Sequence, residues 1–197
     1  MKKLFSSVFV VFMVFVLTAC AVPVKNAAER KNGLNCAFSA NVSIELDKLN
    51  ASGKIRRSGD GEWDIEFLSP DTLGGVVLAF SSGTVTASYK GLSFSVPRTA
   101  LPVKAMMLNL IDAVDSSARM EHLSGEEKDG VLQLTGSLES GDYTLTVDSE
   151  GRLSAFEMPN NLLKMTFSEL TVTAVNDTAE EQPVSTTVIN EENIETT

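Results

Sequence analysis

The 197-residue chain offers few side chains able to do bond-breaking chemistry. It has one histidine, His122, set in Met120-Glu121-His122-Leu123, and two cysteines, Cys20 and Cys36. One imidazole and two separated thiols do not make a four-ligand zinc centre, which draws on several Cys and His together. A lone histidine acts as a general base only beside a nucleophile and an orienting group. The chain contains no Gly-x-Ser-x-Gly, Ser-x-x-Lys, Cys-x-x-Cys or His-Glu-x-x-His. Its carboxylates fall largely at alternate positions of apolar segments, as with Glu62, Asp64 and Glu66. That spacing puts them along one wet face of a strand, where they solvate a sheet and do not converge as an acid/base pair. The expectation is a protein with no catalytic residues, no metal site and no cofactor.

The exception is Cys20. Met1-Lys2-Lys3 is followed by an apolar run from Leu4 to Ala19 that ends in Leu17-Thr18-Ala19-Cys20. A basic start and an apolar stretch too short to span a bilayer read as a secretory leader. The end of the run resembles the bacterial lipobox. That resemblance implies diacylation of the Cys20 sulfur and a mature protein beginning at this residue, with its folded part on the extracytoplasmic face of a membrane. Two or more acyl chains give stable anchoring where one does not. Cys36 is then left without an intramolecular partner and is expected as a buried structural thiol.

Charge agrees with an anchor acting alone. There are 16 basic and 26 acidic residues, a net charge of −10; removing Lys2 and Lys3 with the leader leaves 14 against 26, or −12. Such a chain lacks the cationic surface that nucleic acid requires, and anionic lipid headgroups repel it. The reading divides the chain into a leader (1–19), a lipidated cysteine and polar tether (20–33), one domain (34–176) and an acidic tail (177–197). The tail has disordered-segment composition and no basic residue.

The elements of the domain follow from periodicity. Phe38, Ala40, Val42, Ile44 and Leu46 alternate with polar residues, the period of a half-wet strand. Further strands are expected at Leu49–Arg57, Glu62–Leu68, Leu73–Phe80 (buried on both faces), Thr84–Lys90, Leu92–Val96, Val131–Leu138, Tyr143–Val147, Leu153–Met158 and Leu163–Ala174. Turn signals punctuate them, as at Ser58-Gly59-Asp60-Gly61. One stretch has helical spacing: Val103, Met106, Met107, Leu110, Ile111 and Val114, with Pro102 in its first turn. The fold expected is mainly β: a curved antiparallel sheet of about ten strands whose apolar face is covered by one main helix and loops.

The order of features resembles the LolA/LolB lipoprotein-carrier superfamily over roughly residues 34–174. It runs from Ser52-Gly53-Lys54-Ile55-Arg56-Arg57 through Glu62-Trp63-Asp64-Ile65-Glu66-Phe67 and Ser69-Pro70 to Tyr89-Lys90-Gly91-Leu92-Ser93-Phe94. Gly53, Arg56 or Arg57, Trp63 and Pro70 match the family's small residue, arginine, aromatic and proline. The resemblance implies an open half-barrel over an apolar cavity. It makes Trp63, Ile65, Phe67, Met107, Leu110 and Ile111 the expected lining for a lipid or acyl ligand. The superfamily also includes a lipidated partner protein of a spore-cortex amidase. An adaptor for a cell-wall hydrolase, contacting an envelope protein through the strand edge Leu92–Val96, is therefore the alternative expectation.

Overall fold

The computed structural model describes residues 27–81, 83–102 and 105–173. The leader, Cys20 and the acidic tail lie outside them. The elements are β1 (Ala27–Lys31), β2 (Ala37–Leu46), β3 (Leu49–Gly59), β4 (Glu62–Ser69), β5 (Val77–Ser81), β6 (Thr84–Tyr89), β7 (Leu92–Pro97), helix α1 (Met106–Ala118), β8 (His122–Lys128), β9 (Val131–Leu138), β10 (Gly141–Val147), β11 (Leu153–Met158) and β12 (Leu163–Thr173). Short 3-10 turns sit at Arg98–Ala100 and Pro159–Asn161.

All twelve strands form one sheet in the order β1-β8-β9-β10-β11-β12-β2-β3-β4-β5-β6-β7. Every pairing is antiparallel. Two meanders, β2–β7 and β8–β12, are joined by the β12–β2 pairing, and α1 connects them in sequence. Among the described residues the sheet is not closed and β1 and β7 are its edges; this is the curved antiparallel sheet with one helix that the patterning implies, in the open half-barrel form that the resemblance implies. Two-residue turns keep the hairpins tight. At Lys90-Gly91 and Asp129-Gly130 both residues have positive φ (48° and 83°, 50° and 81°). This is the geometry of a type I′ turn, whose twist matches that of the strands it joins.

Alternation decides which face is dry. In β2, Phe38, Ala40, Val42 and Ile44 are buried while Ser39, Ser43 and Glu45 are exposed; β4 buries Trp63, Ile65 and Phe67 in the same way. These residues and the helix residues Met107, Leu110, Ile111 and Val114 belong to one core cluster. Burying a side chain of this size contributes roughly 1.5–3 kcal/mol.

Four expectations are corrected. The tether does not reach residue 33, nor does the domain begin at 34, because Ala27–Lys31 pairs with β8 from Lys31↔His122 to Ala27↔Glu126. Arg30 secures this strand, donating to the Asp148 carbonyl (2.7 Å), the Gly130 carbonyl (3.0 Å) and Glu127 Oε1 (3.0 Å). Buried Asn32 donates to the carbonyls of Ser117 (2.9 Å) and Met120 (2.6 Å), which satisfies acceptors where α1 ends. Second, Leu73–Phe80 is not a strand buried on both faces. Residues 71–75 are a turn held by Leu73 and Gly74 N–H donation to the Pro70 carbonyl, and in β5 only Phe80 is fully buried. Third, Pro102 precedes the helix, which begins at Met106. Fourth, Cys36 is half-buried rather than buried, its thiol directed at the Gly33 carbonyl (3.1 Å).

Candidate functional site

Residues directly opposite one another in a sheet share a face, so register converts the strands into rows across the half-barrel. One row runs Phe38–Arg57–Trp63–Phe80–Val85–Val96; the next runs Ala40–Ile55–Ile65–Leu78–Ala87–Phe94. Gly53, between Val42 and Phe67 in a third row, has the Glu66 carbonyl where a Cβ would stand, which accounts for a small residue there.

The six expected lining residues are brought together. Trp63, Ile65 and Phe67 on β4 and Met107, Leu110 and Ile111 on α1 are all in the core cluster, and none is more than 4% exposed. They are packed core and not the walls of an open cavity. The uncovered surface lies further along the rows. Beyond Ile65, Leu78 and Ala87 are half-buried and Phe94 is 66% exposed. On the same face Leu92, paired with Tyr89, is 78% exposed. The concave face thus continues as apolar surface from beneath α1 out to edge strand β7. The alternation Leu92, Phe94, Val96 is visible in the sequence; that α1 leaves its outer part uncovered is not.

A polar cluster unremarked in the sequence fixes α1. Asp115 points into the core and accepts from Arg57 Nε (2.8 Å), the Gly61 N–H (2.8 Å) and Trp63 Nε1 (3.1 Å). Arg57 also donates to the Cys36 carbonyl (3.0 Å), and its guanidinium carbon lies 5.8 Å from the Trp63 ring centroid. Trp63 meets Phe38 edge to face, with ring centroids 5.6 Å apart. Both charges of the pair are buried. The signal was available: Arg57 falls on the apolar face of its strand, two residues after Ile55, and Asp115 lies four residues after Ile111 on the helical stripe.

His122 begins β8 with a half-exposed side chain 3.9 Å from Glu29, and no nucleophile adjoins it in that pair. Of the wet-face carboxylates, Asp64 is paired with Arg56 (2.8 Å) and Glu66 faces solvent. Among the described residues no three His, Cys, Asp or Glu side chains come together in a way that could hold a metal ion, and no helix is long and apolar enough to cross a membrane.

No family model matches the chain, and no curated protein matches it. Solved structures to which it is similar include an uncharacterized conserved protein from Thermus thermophilus (15% identity, 71% of this chain and 80% of that one, TM-score 0.46). They also include a LolA superfamily protein from Nitrosomonas europaea (12% identity, 74% and 90%, TM-score 0.38). A DUF1329 family protein from Desulfovibrio piger is a third (16% identity, 70% and 85%, TM-score 0.42).

Proposed function

We propose that the protein is a non-enzymatic lipoprotein, anchored through lipid on Cys20 to the extracytoplasmic face of a bacterial membrane. In this reading it binds a lipid or acyl chain on the concave face of its half-barrel. The observation that carries the ligand is the row Ile65–Leu78–Ala87–Phe94, which starts in the core and ends 66% exposed. An apolar row that runs from the core to exposed surface supports this reading. An acyl chain laid along it touches Leu78, Ala87 and Phe94 first. It reaches the expected lining of Trp63, Ile65 and Phe67 only if α1 lifts, because that lining is sealed.

A second reading draws on the same strand as an edge. Among the described residues β7 has a neighbour on one side only, so its other side can accept a strand from an envelope protein such as a cell-wall hydrolase, with Leu92 and Phe94 adding apolar contact. Native mass spectrometry of the full chain, followed by organic extraction, separates the two. A stoichiometric co-purified lipid supports the first reading. An empty protein that captures an envelope hydrolase, and loses it on Phe94→Glu, replaces it with the second.

A further inference from the structure

The two edges of the sheet differ. β1 carries Glu29, Arg30 and Lys31, charges of the kind that keep a strand edge from pairing further. β7 carries none. Its six residues, Leu92–Pro97, are uncharged and in unbroken register with β6 from Tyr89↔Leu92 to Thr84↔Pro97. Proteins cover such an edge with further chain. The two-residue turn Lys90-Gly91 makes Tyr89↔Leu92 a hydrogen-bonded pair, and bonded pairs alternate along the ladder. Ser93 and Ser95 therefore turn their N–H and C=O groups to the open side.

A segment of this same chain matches that edge. Residues 174–197 lie outside the described residues. Within them residues 182–190 hold no charge and include Val184-Ser185-Thr186-Thr187-Val188-Ile189, five of whose six residues are β-branched, a composition suited to a strand. Glu180 and Glu181 precede this stretch, and Glu191 and Glu192 follow it. β7 has basic residues at both ends: Lys90, whose ammonium stands over the Tyr89 ring, and Arg98, which is shared with Asp112. An uncharged run between acidic ends thus meets an uncharged edge between basic ends.

Topology supplies reach and direction. The row Phe38–Arg57–Trp63–Phe80–Val85–Val96 begins at Val172 on β12, so β12 and β7 finish at the same end of the sheet. The place beyond β7 is seven strand spacings from β12, at most about 34 Å around the sheet. The eleven residue steps from Thr173 to Val184 extend over about 36 Å. A chain that crosses there from β12 must then run back antiparallel to β7.

We propose that residues 184–189 of the tail add to β7 as a further antiparallel strand of the same molecule. Val184, Thr186 and Val188 then stand opposite Val96, Phe94 and Leu92 and extend the apolar rows, while Ser185 and Thr187 bond with Ser95 and Ser93. Glu181 comes to the Arg98 end and Glu191 to the Lys90 end. The inference rests on neither ligand reading, and it makes the tail a competitor of any envelope protein for this edge.

The test is amide hydrogen exchange of the full chain in detergent, followed by NMR at Ser93 and Ser95, with Leu92, Phe94 and Val96 as the reference already bonded to β6. Thr187→Pro removes a donor the added strand needs and touches nothing in the domain. Exchange at Ser93 and Ser95 is expected to be at least about tenfold slower in the parent than in Thr187→Pro or in a chain ending at residue 176. Equal exchange in the three proteins overturns the proposal. Native mass spectrometry decides whose tail is bound: protection in a monomer, unchanged on dilution, supports it. Protection found only in a dimer overturns it in favour of strand exchange between two copies.

Discussion

At the scale of single residues, a buried polar cluster ties α1 to the sheet. Asp115 accepts from Arg57, Trp63 and the Gly61 amide. Truncating it strands a buried guanidinium and two further donors, and breaking such a pair costs about 3–5 kcal/mol. Asp115→Ala is expected to lose that much in urea unfolding. Asp115→Asn, which keeps the shape, should fall between it and the parent. Asp148 sets a different, pH-dependent contribution. Burial pushes its carboxyl up, but the N–H groups of Arg152 and Glu150 and the Arg152 guanidinium outweigh this and hold it below the usual carboxylate value. A depressed folded-state pKa stabilises above the unfolded value of about 3.9, and the benefit is lost as pH falls through the folded value. Thermal melts should therefore show Asp148→Asn below the parent at neutral pH, with the gap closing under about pH 4.

At the scale of elements, α1 and β7 divide the apolar face between them. α1 has no side-chain cap at its N-terminus, whereas its C-terminal half is tied down by Asp115 and by Asn32. β7 is the converse case, an edge strand with large apolar side chains in water. Phe94→Glu removes nothing from the core, so its stability should stay within about 0.5 kcal/mol of the parent. Its uptake of an acyl ligand should fall sharply. Leu110→Glu is not an equivalent test, since Leu110 is fully buried and a charge there unfolds the site with the protein. A Phe94→Glu protein that melts like the parent and still binds would remove β7 from the ligand site.

At the scale of the whole molecule, the sheet makes its ends interdependent. β1 comes from the stretch the sequence reads as tether, yet it covers the edge of β8, and Arg30 and Asn32 tie it to the β10–β11 turn and to the end of α1. Gly151 in that turn has φ 76° and stands against the Lys31 carbonyl, so the turn and β1 fit only with glycine there. A chain beginning at residue 34 loses these hydrogen bonds and exposes an unpaired strand. It should be at least about 2 kcal/mol less stable and more prone to associate. Thermal melts and size-exclusion chromatography against a chain beginning at residue 27 measure both.

Nine of the expected strands and the helix were legible because alternation and helical spacing are local consequences of which side chains avoid water. Leu92–Val96 was legible as a strand in the same way. β1 and β8 were not: Ala27–Lys31 and His122–Lys128 are polar and carry no apolar alternation, and only a partner far away in sequence makes them strands. The candidate site divides similarly. Composition and spacing by themselves determined the apolar residues that gather on one face and the absence of any recognised catalytic motif. Tertiary structure alone decided which of those residues are sealed and which are open, because exposure depends on how far one thirteen-residue helix reaches across twelve strands. The same packing met Arg57 with Asp115 across 58 residues of chain; local pattern put each of them on an apolar face but could not pair them.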